Sequence, residues 1–294
     1  MSRRYRKTAL VAALAAVLVV FTAGSAAATD SASSQSQKTS YYLALGDSLA
    51  IGVQPDAAGD IHPTDSGYPD LLHAELSASD PDLQLVKLGC SGETTTTFVK
   101  GGRCSYGAFA SQLQAAAAFL LTHRGDVDLV TINLGGNDIA GCADLTGIDA
   151  ACVAAAMSTI ETKLTIATIV LRAVAGGGVP IVGSNFHDPF LAFWLFGPGG
   201  QEIAQASLPV TADVNNLVEG IYEQIGAPVA DVESAFQTFV TTPLVPLPGI
   251  GEVPLNVARI CQWTFMCVPP PVGPDFHPTD AGYQVMADAF AAKV

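Results

Sequence analysis

Four short segments carry residue types able to do chemistry together. Ser48 lies in Gly46-Asp47-Ser48-Leu49-Ala50, directly after an apolar, β-prone run. Ser91-Gly92-Glu93-Thr94-Thr95 and Gly135-Gly136-Asn137-Asp138 follow two further runs of that kind, and Phe276-His277-Pro278-Thr279 precedes a C-terminal helical stretch. A serine is a poor nucleophile until a base takes its proton, and the oxyanion formed by its attack needs hydrogen-bond donors aimed at it. Serine and histidine supply nucleophile and base. Glycine lets a backbone N–H approach a substrate closely, and asparagine offers a donor without a charge that would compete for the serine proton. Taken singly, each motif also suits an ordinary turn. Their order, three at strand ends and the fourth before the last helix, makes them a set.

The elements that must position them are legible as alternating runs. Strands are predicted at Tyr41–Leu45, Leu83–Leu88, Val127–Leu134, Val179–Gly183 and Pro228–Val232. Helices are predicted at Tyr68–Ser77, Ala108–Thr122, Ala150–Val174 and Ala206–Ile225, with a last one from Asp280 to about Ala292 capped by Thr279. Strands separated by helices imply parallel pairing with right-handed crossovers, and strands apolar throughout imply helices on both faces. The expected fold class is α/β, a three-layer α/β/α sandwich on a central parallel sheet of about five strands. Ligands in such sheets bind outside the carboxyl ends of the strands, where the first three segments fall.

Composition narrows the setting. Arg3, Arg4, Arg6 and Lys7 precede an apolar run and the small residues Ser25–Ala28, the layout of a secretory signal peptide over residues 1–28. The Arg3-Arg4 pair leaves twin-arginine and ordinary export both open. A Ser-rich polar tract, residues 29–40, reads as a disordered linker, and residues 41–294 as one catalytic-sized domain. Without those four cations the mature chain has nine Lys and Arg against 27 Asp and Glu, a formal charge of −18, which argues against nucleic acid as a partner. After cleavage no transmembrane segment is expected. Six cysteines fit an oxidising compartment. Of the 15 possible connectivities, the sequential pairing Cys90 with Cys104, Cys142 with Cys152 and Cys261 with Cys267 is favoured, because each pair closes a short loop beside a proposed strand end. Cys-x-x-Cys spacing is absent and no histidines cluster with the cysteines, so no metal site is expected.

In order and placement the four segments resemble the sequence blocks of the SGNH (GDSL) hydrolase family, over residues 41–294. The resemblance implies a flavodoxin-like fold with Ser48 as nucleophile and His277 as base. It assigns the oxyanion to the Ser48 and Gly92 backbone N–H groups and the Asn137 side-chain amide. His277 has a near copy in Ile61-His62-Pro63-Thr64-Asp65, but the family's base precedes the last helix. His187, after the fourth strand, is expected to border the site. The family usually places an aspartate three residues before the histidine; here Pro274 stands there, and Asp275 is only two residues away. The Pro274 main-chain carbonyl is therefore expected to orient His277 in a Ser-His dyad, with Asp275 as the rival acceptor.

The implied activity is that of a secreted, extracellular serine hydrolase cleaving carboxylic esters through an acyl-enzyme, an esterase or lipase that needs no cofactor. Fatty-acyl esters are favoured because Phe190–Phe196 and residues 243–256 are apolar segments able to line an acyl pocket or meet lipid. The alternatives are a polysaccharide acetyl esterase and a catalytically inactive secreted binding protein. The expected partner is a small-molecule or lipid ester, and the expected state a monomer.

Overall fold

The computed structural model describes residues 39–294. The expected signal peptide and all but the end of the expected linker lie outside the described residues. Ser40, assigned in the sequence reading to the linker, is already strand.

Five strands form one parallel sheet: β1 (Ser40–Gly46), β2 (Leu83–Lys87), β3 (Val127–Asn133), β4 (Ile181–Ser184) and β5 (Val229–Ala230). Their order is β2-β1-β3-β4-β5, so the chain turns back past its first strand and opens a crevice at the carboxyl ends of β1 and β3. Register is set along β1, where Leu43 lies opposite Val86 of β2 and Val130 of β3.

The period of two in β1 divides the core. Tyr42 and Ala44 face one layer, where they meet buried side chains of α1 (Tyr68–Leu76) and of α6 (Asp280–Ala291), among them Tyr68, Leu72, Tyr283 and Phe290. Leu43 and Leu45 face the other, built from α2 (Gln112–Thr122), α3 (Ala150–Ala175) and α4 (Gly197–Gln224) through Leu120, Ile160, Leu164, Val218 and Tyr222. Each fully buried leucine or phenylalanine here contributes about 1.5–3 kcal/mol. By length and apolarity α3 matches a membrane-spanning helix, yet Ile160, Leu164 and Leu171 lie on the sheet and are fully buried.

Two helix starts differ from expectation for local reasons. Helix α2 begins at Gln112 because the Ser111 hydroxyl accepts the Gln114 N–H and caps it. Helix α4 begins nine residues before the expected Ala206, because Gly197-Pro198, a pair that reads as a stop, puts proline in the first helical turn, where its missing N–H costs nothing. Pro209 lies inside the same helix. The sequence reading left unassigned α5 (Leu255–Trp263) and three short hairpins, Val53–Pro55 with Ile61–Pro63, Ala143–Asp144 with Gly147–Ile148, and Leu244–Leu247 with Gly251–Pro254.

Candidate active site

The turn after β1 is held by two side chains. Gly46 has φ +134°, and a Cβ there would stand 1.9 Å from the Asn133 carbonyl oxygen, so only glycine lets β1 end this close to β3. Gln112, buried at the start of α2, accepts the Gly46 N–H at 2.7 Å and donates to the Gly46 carbonyl at 2.9 Å. Asp47 then accepts the Leu49 N–H through Oδ1 at 2.9 Å. Ser48 follows in helical conformation, starts the short turn Leu49–Ile51 and lines a cavity of about 320 Å3.

Ser48, Gly92, Asn137 and His277 all line this cavity. The turn after β2 carries Gly92 at φ +74°, where a Cβ would lie 2.2 Å from the Arg103 guanidinium. Among the described residues the Ser48 and Gly92 N–H groups donate to no other group. Asn137 stands in the short helix Gly136–Ile139 after β3, and its Nδ2 donates to the Glu93 carbonyl at 3.1 Å and to Asp47 Oδ2 at 3.2 Å. The Asn137 amide hydrogens are thus directed at Asp47 and Glu93, and one must turn away to meet an oxyanion. Asp138 does not point into the cavity; its two oxygens accept the N–H and hydroxyl of Thr95, both at 2.8 Å, and tie the second loop to the third.

His277 precedes α6, which Thr279 caps by accepting the Gly282 N–H. The group at His277 Nδ1 is Asp275 Oδ1, at 2.7 Å, and not the Pro274 carbonyl. The same oxygen accepts the His277 main-chain N–H at 2.9 Å. This is a local aspartate turn, which pulls the ring back onto the carboxylate, so a spacing of two residues suffices where three was expected. Burial pushes the Asp275 carboxyl up, but its hydrogen bond and charge interaction with His277 outweigh that and hold it below its ordinary value. Ser48 Oγ and His277 share the cavity without a direct hydrogen bond among the described residues, as is common where no substrate tightens the contact.

The other histidines are placed apart or differently. His62 is exposed on its hairpin, with Nδ1 near the Asp60 carbonyl. His187 lines the cavity but is buried and stacked 4.3 Å from Phe236, and desolvation pushes its pKa down to about 4. Of the apolar segment Phe190–Phe196, only Phe190 reaches the cavity. Trp194 packs on the core instead, and residues 243–256 form α5's start and a hairpin outside the cavity.

Burial dominates the electrostatics. Asp47, 3% exposed, is pushed up to about 7 by desolvation, with Asp138 and Glu93 adding to the rise and the Leu49 N–H and His277 opposing it. Asp188, which accepts the Ser207 hydroxyl at 2.6 Å, is pushed up to about 6 by the same burial. Among the described residues Arg103 is the one Lys or Arg lining the cavity.

Two groups of supporting residues were given no role from the sequence. Gln112, Glu93 and Tyr106 form a buried strut: Gln112 Nε2 and the Tyr106 hydroxyl both donate to Glu93 Oε2, at 3.0 and 2.8 Å. Asn215 grips the Phe186 backbone from both sides, accepting its N–H at 3.0 Å and donating to its carbonyl at 2.8 Å. Buried amides in helices carry no motif; the signal that could have placed Gln112 is Ser111, a capping residue type directly before it. The three disulfides are Cys90–Cys104, Cys142–Cys152 and Cys261–Cys267, the sequential pairing.

A hydroxyl, an imidazole paired to a carboxylate and undonated backbone N–H groups around one apolar-walled cavity are the parts acyl transfer requires. The model of the GDSL-like lipase/acylhydrolase family matches residues 44–285. No curated protein matches. Among solved structures, an extracellular lipase from Streptomyces rimosus is 20% identical with a TM-score of 0.58, over 87% of this chain and all of that one. A mutant acetyl-xylooligosaccharide esterase from Geobacillus stearothermophilus is 18% identical with a TM-score of 0.54, over 87% and 95%. At these identities the likeness is one of fold. The family match takes in Ser48, Gly92, Asn137 and His277, and this chain belongs to the GDSL-like lipase/acylhydrolase family.

Proposed function

We propose that the protein is a secreted carboxylic ester hydrolase acting through a serine acyl-enzyme, with Ser48 as nucleophile and His277 as general base. The observation that carries this is the pairing of His277 Nδ1 with Asp275 Oδ1 at 2.7 Å, in a cavity that Ser48 shares. With Nδ1 donating to the carboxylate, the other ring nitrogen is left as the base. His277 Nε2 takes the Ser48 proton as Oγ bonds to the ester carbonyl carbon. The Ser48 and Gly92 N–H groups, with Asn137, receive the oxyanion. The intermediate then collapses, the C–O bond to the alcohol breaks, and His277 returns its proton to the leaving oxygen. Water repeats the sequence on the acyl-enzyme and releases the acid. Asp275 steadies the imidazolium and stays ionised throughout. Three disulfides among the described residues support export to an oxidising compartment, and the apolar cavity wall supports fatty-acyl over acetyl substrates.

The test is hydrolysis of p-nitrophenyl esters from acetate to palmitate by the purified protein beside Ser48→Ala. Turnover by the wild type that is absent from the variant is the expected result. Equal turnover by Ser48→Ala, or no turnover of any ester, overturns the mechanism.

A further inference from the structure

The cavity is not symmetric about Ser48. On the β2 side its wall is polar, made by Ser91, Gly92 and Arg103, whose Nε donates to the Ser91 carbonyl at 2.9 Å. Beyond β3 its unpaired surface is apolar: Ile148 and Val153 come from the segment that follows β3 and Val210 and Val214 from α4, while Ser207, Thr211 and Asn215 stand among them with polar groups bonded to Asp188 and to the Phe186 backbone. The strand order puts β1, and so the nucleophile, between the two sides.

The apolar wall is held in place. The Cys142–Cys152 disulfide closes the segment, the Asp149 N–H donates to the Cys142 carbonyl at 2.8 Å, and the Asp149 carboxylate caps α3 by accepting the Ala151 and Cys152 N–H groups. Ile148 is thereby fixed on a hairpin that α3 anchors from its first turn. Val210 and Val214 are one helical turn apart and so share a face of α4. Ile148 and Val210 remain half-buried, as side chains lining an open cavity do.

We infer that the clasped hairpin and α4 form the acyl-chain site, with Ile148, Val210 and Val214 setting the chain length, and that the alcohol lies toward the polar side near Arg103. This rests on the esterase reading above. The chemistry separates the two ends: the alcohol departs before the acyl-enzyme is hydrolysed and needs a wet exit, whereas the acyl chain stays bound through both steps and gains from a dry, fixed wall. Size follows from volume. An apolar cavity of about 150 Å3 admits the six carbons of benzene. A cavity of about 320 Å3 therefore takes about twelve such atoms including the reacting ester, an acyl chain of about six to ten carbons.

The experiment measures kcat/KM for p-nitrophenyl esters from acetate to palmitate, and for methyl and hexyl acetate as an alcohol series, with wild type, Ile148→Trp, Val210→Trp and Val210→Ala. Wild type is expected to peak at about six to ten carbons. Each buried methylene is worth about fourfold, so either tryptophan, by excluding two or more, lowers the decanoate-to-acetate ratio at least tenfold. Val210→Ala raises that ratio, and answers the question if a tryptophan variant does not fold. The hexyl-to-methyl acetate ratio stays as in wild type. A decanoate-to-acetate ratio unmoved in all three variants, or an alcohol ratio that moves in its place, overturns the assignment while leaving esterase activity intact. Turnover surviving Ser48→Ala overturns the esterase reading itself, so the two failures are distinguishable.

Discussion

A single oxygen of Asp275 holds His277 twice, accepting the ring Nδ1 at 2.7 Å and the main-chain N–H at 2.9 Å. The first bond sets the tautomer and the second sets the backbone that carries the ring. Asp275 is 20% and His277 12% exposed at the side chain, so the contact is only partly open to water. The same contact holds the Asp275 carboxyl below its ordinary pKa, which favours the ionised form that orients the ring.

Asp275→Asn is expected to keep the fold and lose turnover. Asparagine fills the same space, but its amide can present a donor to Nδ1 and invert the ring's proton placement; loss of the equivalent carboxylate in a serine triad costs on the order of 10⁴ in kcat. A fall of at least a hundredfold in kcat, with KM little changed, is the outcome expected from steady-state kinetics. A loss of only a few fold would return the orienting role to the Pro274 carbonyl.

How much of this could be read beforehand differs by residue. Gly46-Asp47-Ser48, Gly92 and Asn137 were legible because each follows a strand that is apolar throughout, and the parallel topology brings such strand ends to one rim. Asp275 was visible as a rival but misjudged, because spacing alone does not report that an aspartate can fold back on the N–H two residues ahead. Helix α4 was shortened at its start because Gly-Pro ends one element and begins another with equal ease. Gln112 and Asn215 were invisible: a buried amide looks like any other helical polar residue until the backbone it satisfies is known. Trp194 was drawn toward the site by its neighbours' hydrophobicity, which core packing explains as well.

Gly46 and Gly92 should fail in different ways when each is replaced by alanine. At Gly46 the added Cβ meets a main-chain carbonyl of β3 at 1.9 Å, which cannot move without parting the sheet. At Gly92 it meets the end of the Arg103 side chain, which can swing away, leaving mainly a backbone cost of about 1–2 kcal/mol at φ +74°. Gly46→Ala is expected to be insoluble or unfolded by circular dichroism. Gly92→Ala is expected to fold and to lose most of its kcat, because the N–H offered to the oxyanion is displaced. An active Gly92→Ala would remove that N–H from the mechanism.

Gln112→Ala leaves the Gly46 N–H without its partner in the buried turn before Ser48, while the Gly46 carbonyl keeps the Cys90 N–H at 3.1 Å. An orphaned buried group costs about 1–3 kcal/mol. A destabilisation of about 2 kcal/mol in urea unfolding is expected, with a lower kcat because the turn carrying the nucleophile loosens. A change below about 1 kcal/mol would mean that water replaces the amide at no penalty, and that the strut does not hold the site.

Stability should fall as pH rises from about 4 to about 7, opposite to what a protein rich in paired carboxylates shows. Asp47 and Asp188 are pushed up to about 7 and about 6 by burial, against about 3.9 in an unfolded chain. Between those values the folded state binds protons that the unfolded state has released. The stability these carboxyls contribute is therefore complete below about pH 4 and lost as pH passes the folded values. Three units at Asp47 correspond to roughly 4 kcal/mol and two at Asp188 to roughly 3 kcal/mol, as orders of magnitude. Two groups work the other way: Asp275 only as pH falls below the ordinary carboxylate range, and His187, held at about 4 against about 6.5 in an unfolded chain, by roughly 3 kcal/mol between those values, which offsets less than half of the fall. Urea midpoints are expected to be higher at pH 5 than at pH 8. Asp188→Asn, which keeps an oxygen for the Phe190 N–H, should flatten the slope between them. A midpoint that rises toward pH 8 would show that these carboxyls are ionised in the folded state without penalty.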